Sequence, residues 1–119
     1  EKIYQILNPI EDTLIIKQNK QNQTIMNIID IGREEIKKLY KNEKYDEAIN
    51  QTTMIIKMIK NIKSEQNLTL ELSQLYQDLA IFYAQKNNTE EAKKMIDMAL
   101  KLNPTEQNKE IKKLIYKED

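Results

Sequence analysis

The side chains whose spacing points most directly to chemistry are Arg33, Lys37 and Lys41. Steps of four residues place all three on one face of a helix. A cationic ridge of this kind suits carboxylates, either those of an acidic peptide or that of a chain terminus. Catalytic sets are much harder to assemble. The chain has no His and no Cys. That removes the usual general base, the thiolate nucleophile and the commonest metal ligands. Ser64 and Ser73 therefore lack an imidazole to activate them. Glu34–Glu35 and Glu90–Glu91 are adjacent pairs, and adjacent residues point to different sides of a helix. Gly32 is the only glycine, so no glycine-rich loop can cradle a phosphate. The expectation is a chain with no catalytic residues, no metal site and no cofactor, which acts by binding.

The elements that would carry the ridge are helices. A first helix is expected over about Pro9 to Gln18, with Asn8 as its cap and Pro9 in its first turn. A second covers about Thr24 to Lys41. Its stripe of Ile25, Ile28, Ile29, Gly32, Ile36, Leu39 and Tyr40 follows the helical period. A third covers about Tyr45 to Lys63, with Ala48, Ile49, Thr52, Ile55, Ile56, Ile59 and Ile62 inward. A fourth covers about Leu68 to Gln85. Asn88 or Thr89 caps a fifth that runs to about Leu102, with Glu90 and Glu91 in its first turn. The last covers about Thr105 to Tyr116, with Ile111, Leu114 and Ile115 on its apolar side. The five methionines sit mainly at core spacing, where Met fills gaps. Each helix has one apolar stripe and needs a neighbour to cover it. Short connections make sequential neighbours antiparallel, so an all-α chain of about six helices in stacked pairs is expected.

Composition agrees with this class and narrows the partners. A single Gly and two Pro leave little turn chemistry for an all-β fold. The longest apolar run is the six residues 79–84, far short of a bilayer's thickness, so no membrane span is expected. The chain opens on Glu1 rather than Met, as a fragment or a processed chain would. Lys+Arg and Asp+Glu are both 19, so no net charge draws the chain toward nucleic acid or anionic lipid. Residues 37–63 carry seven Lys against three acids, but 64–100 are net acidic by three. Few aromatic residues are free to stack on bases, and nucleic acid is not an expected partner.

Residues 76–104, YQDLAIFYAQKNNTEEAKKMIDMALKLNP, add a more particular signal. Small alanines recur between large apolar residues. The stretch resembles a tetratricopeptide repeat, with its Trp-x2-Leu-Gly-x2-Tyr, Ala-x3-Phe, Ala and Pro slots. Here they hold Tyr76, Leu79, Ala80 and Tyr83, then Ala92, Ile96, Ala99 and Pro104. Upstream, KYDEAI (44–49) resembles the start of a second helix with Ala48 in its alanine slot. Counting back puts Ile36 in the glycine slot. A helix one turn longer would put Ile28, Ile31 and Gly32 in the opening slots instead, and both registers stand. The 44-residue spacing from Ala48 to Ala92 is longer than the usual period. It is similar to kinesin-light-chain-type repeats and to the helical C-terminal domain of SET-and-MYND methyltransferases.

The resemblance implies a right-handed α-solenoid. Residues 1–23 would be a leading or weakly structured segment, 24–67 a degenerate helix pair, 68–104 a clear pair and 105–119 a capping helix. It also implies a groove lined by the first helix of each pair. The groove positions are Arg33, Lys37, Tyr40 and Lys41, then Gln74, Gln77, Ile81 and Gln85. Gln77 and Asp78 stand where a chaperone-tail clamp would need Lys and Asn, which argues against that function. The expected function is a non-catalytic protein–protein interaction scaffold, a subunit or segment of a larger complex, taking a protein or acidic peptide. The expected setting is cytoplasmic, with a cytoskeletal or ciliary assembly as one fit. Two other readings are a helical accessory domain of an enzyme such as a methyltransferase, and a peptide-sensing regulator.

Overall fold

The computed structural model describes residues 23–62 and 67–117, and every regular element in them is a helix. In chain order these are α1 (23–41), α2 (Tyr45–Asn61), α3 (Thr69–Gln85), α4 (Thr89–Leu102) and α5 (Glu106–Tyr116). The helix expected over 9–18 lies outside the described residues. No described helix is long and apolar enough to cross a membrane.

The chain divides into two units, Glu1–Ile31 and Gly32–Asp119. In the described part of the first, Ile25 and Ile29 are buried, and Gln23 donates through Nε2 to Asn27 Oδ1 at 3.0 Å. Ile28 was expected in the same stripe but is 44% exposed. The buried positions 25, 29, 32 and 36 follow steps of four and three, and residue 28 falls to one side of that line.

The second unit is built around α3, which packs on α2, α4 and α5, while α4 also packs on α5. Leu75 is fully covered, which stabilises the fold by about 2 kcal/mol. Ala48, Ala80, Ala92 and Ala99 are all fully covered, and their lack of bulk lets backbones approach. Ser73 uses the short distance: its Oγ donates to Ala99 O at 2.9 Å, inside the core. Gly32 marks another close approach, because a Cβ built there would lie 2.4 Å from Ile55 Cδ1.

The connections α1–α2 and α3–α4 have the same backbone. Asn42 N donates to Lys38 O, Glu43 N to Tyr40 O and Lys44 N to Leu39 O, at 3.1, 3.0 and 2.9 Å. Each has its match 44 residues on: Lys86 N to Phe82 O, Asn87 N to Ala84 O and Asn88 N to Tyr83 O, at 3.2, 3.0 and 2.9 Å. Both are Schellman motifs, in which one left-handed residue lets the last turn bond back on itself. Those residues are Glu43 at φ 59° and Asn87 at φ 62°. Counted from the shared turn, Ile36 stands opposite Ala80, and Gly32 opposite Tyr76.

Three expectations are corrected, at the start of α4, on α5 and on α2. Asn88 occupies the cap position of α4, but its side chain makes no cap hydrogen bond. The preceding turn fixes its backbone, so the side chain is not needed to begin the helix. Leu114 was expected on the covered side of α5 but is 77% exposed. Ile115 takes the inward position, and Leu114, one residue before it, is turned about 100° away. Met54 is likewise 66% exposed rather than a core residue.

Candidate functional site: a groove along one face of α3

The first hollow lies between α1 and α3 and encloses about 280 Å³. Ile36, Tyr40, Ile81 and Phe82 form its apolar lining. Arg33, Lys37, Lys41 and Asp78 supply its charge. Steps of three and four along α1 bring Arg33, Ile36, Lys37, Tyr40 and Lys41 to the same side. Tyr40 is fixed by its rings' neighbours, with centroids 5.7 Å from Tyr45 and 5.5 Å from Phe82.

The three cations are not equivalent, which corrects the picture of a uniform ridge. Arg33 donates through Nη1 to Gln74 Oε1 at 2.8 Å and sits 3.5 Å from Asp78 Oδ2 through Nη2. It is therefore a strut between α1 and α3. Lys37 reaches Glu34 on its own helix at 3.3 Å, an exposed contact of little strength. Lys41 has no ion pair among the described residues. Burial pushes the Asp78 carboxyl above its ordinary pKa, and the Arg33 and Lys37 charges only partly offset that. Asp78 thus offsets one cation, and Lys37 and Lys41 remain toward solvent.

A second hollow, of about 340 Å³, lies between α3 and α5. It is lined by Ile81, Ala84, Gln85, Ile111, Leu114 and Ile115. Ile81 lines both hollows, so they are neighbours on either side of α3. Their linings also correspond in sequence. Lys37, Tyr40 and Lys41 of α1 stand 44 residues before Ile81, Ala84 and Gln85 of α3. Asp78, Ile81 and Phe82 of α3 stand 33 before Ile111, Leu114 and Ile115 of α5. α5 therefore meets α3 much as α3 meets α1. The position is repeated and the chemistry is not: charge lines the first hollow and methyl groups line the second.

The remaining groove positions, Gln74 and Gln77, border a small polar hollow of about 80 Å³ near the start of α5. Sequence reasoning missed its central residue, Asn108, which is 3% exposed. Asn108 Nδ2 donates to Asn103 O at 3.0 Å and lies 3.5 Å from Ser73 Oγ, while Oδ1 is buried without a donor. Thr105 caps α5 by accepting from Asn108 N at 3.1 Å. A TEQN stretch opening a helix was the one available signal for that cap, and nothing in it marks Asn108 as buried.

Among the described residues no three Cys, His, Asp or Glu side chains gather as a metal site. The arrangement offers hydrogen bonds, ammonium groups and apolar hollows along a helix face, which is the chemistry of recognition. Compared with family models, curated proteins and solved structures, the chain has no match.

Proposed function

We propose that this chain is a tetratricopeptide-like interaction scaffold, whose groove along α1, α3 and α5 holds a segment of another protein. The observation that carries the reading is the recurrence of one hollow: α5 meets α3 much as α3 meets α1, and Ile81 lines both sites. The paired turns at Glu43 and Asn87 add support from the backbone. On this reading the helix pairs stack as a right-handed α-solenoid, with α5 as its cap. The chain is non-catalytic and works as a subunit or segment of a larger cytoplasmic assembly, the cytoskeleton and cilium included.

Site-specific photo-crosslinking tests it. A photoreactive residue at Lys41 lies in the groove, and one at Met54, which is 66% exposed on α2, does not. Crosslinking in native extract should give a defined partner at Lys41 and none at Met54. Equal labelling at both positions, or none at Lys41, would reject the groove.

A further inference from the structure

The two hollows carry different chemistry at corresponding places, so one ligand crossing both must change chemistry along its length. We infer that the groove takes an extended peptide with a carboxylate side chain over Lys37 and Lys41 and a large apolar side chain in the α3–α5 hollow. This rests on the groove reading above and names the ligand class for it.

Charge complementarity sets the first half. Arg33 is held by Asp78 and Gln74, so it is occupied as a strut. Lys37 and Lys41 are one helical turn apart and mostly exposed. Lys37 has only the exposed Glu34 as an ion pair and feels Asp78 at longer range, and Lys41 has no ion pair among the described residues. The second half is set by Leu114. It is 77% exposed beside Ile81, Ala84 and Ile111, so a covering apolar side chain would remove water from it.

Geometry sets the spacing. The hollows flank the same helix, and neighbouring helices pack about 8–10 Å apart. A polyproline-type extended chain rises about 3.1 Å per residue and repeats its face every third residue. A carboxylate and an apolar group three residues apart therefore meet both hollows from one side. A β-strand repeats its face every second residue, and one such repeat spans only about 7 Å while two span about 13 Å. Hollows of about 280 and about 340 Å³ each have room for a side chain, and a helix would need anchors about seven residues apart to reach both.

The test is fluorescence anisotropy with labelled peptides on the full chain. The peptides carry one Glu and one Leu in a Pro/Gln host, in both orders, at spacings of two, three and about seven residues, the last matching a helical face. The three-residue spacing should bind best, by about fivefold, in one of the two orders. Replacing its Glu by Gln, or using K37E/K41E, should weaken it about tenfold at low salt, with less effect at high salt. L114E should abolish the preference for Leu, and D78N should tighten binding. All these positions are exposed or half-buried, and circular dichroism verifies each fold. Equal binding at all spacings, or indifference to K37E/K41E, would overturn the inference. If another pattern binds and is still lost in L114E, the inference fails and the groove reading stands. If no peptide binds and Lys41 also crosslinks nothing, both fail.

Discussion

The α1–α2 and α3–α4 hairpins fold around the same turn but place bulk on opposite helices. In the first, Gly32 on α1 makes room for Ile55 on α2. In the second, the corresponding residues are Tyr76 on α3 and Ala99 on α4. Ile36 likewise stands opposite Ala80, while Ala48 and Ala92 agree. What recurs is the backbone turn and the total room between helices. Which helix contributes the bulk is free to change, because packing depends on summed volume more than on identity.

The sharpest way to break this comparison is to give the second hairpin the residue of the first. Ala99 is fully covered and its carbonyl accepts from Ser73. A99I should cost about 3 kcal/mol through overpacking, read as a lower urea midpoint with unchanged slope. A loss under about 1 kcal/mol would mean the alanine slot is not tight. The next test acts on the first hairpin. G32A alone sets a favourable helix propensity against a clash with Ile55 Cδ1, the atom that I55V removes. The double variant should be more stable than the sum of the singles by about 1–2 kcal/mol. Additivity would show that Gly32 does not serve Ile55.

A smaller effect separates the two turns. Glu43 and Asn87 share a left-handed backbone, which Asn tolerates and Glu does not. E43G should stabilise by about 0.5–1 kcal/mol in thermal melts, while N87G should change little. Equal responses would remove the asymmetry. The smallest effect concerns Asp78, whose place in the next hollow is taken by Ile111. Its raised pKa means the folded state holds this proton to higher pH than the unfolded chain does. Its stabilising contribution is complete below the unfolded pKa and is lost as pH rises through the folded one. D78N should therefore leave neutral-pH stability within about 1 kcal/mol, on the favourable side, and flatten the acid side of the pH profile. A clear loss at neutral pH would show that the Arg33 pair outweighs burial.

The helices were legible because each has an unbroken 3.6-residue stripe, and α2 to α4 lie within two residues of their expected bounds. Arg33, Lys37, Tyr40, Lys41, Ile81 and Gln85, which line the two hollows, were placed in a groove by a borrowed register and not by a local pattern. Which helices would meet along Arg33, Gln74 and Asp78 depends on pairing across 40 residues, and no local pattern encodes it. The α3–α4 turn falls at KNN (86–88), where the sequence places it, but its match at KNEK escaped notice because no glycine stands at the left-handed Glu43. Asn108 was hidden for a different reason. A lone amide in a lysine-rich helix reads as solvated until the facing Ser73 and Asn103 are known.

The 33-residue correspondence between α3 and α5 has one more consequence. Where α3 presents Tyr76, Leu79 and Ala80, α5 presents Lys109, Lys112 and Lys113. A row of helices can lengthen only through a flank that loses little on drying. Lys109 and Lys112 already pair with Glu106 and Asp97 at 3.3 Å, so covering that flank would strip water from ammonium and carboxylate groups together. Drying this flank of α5 therefore costs more than drying the corresponding apolar flank of α3.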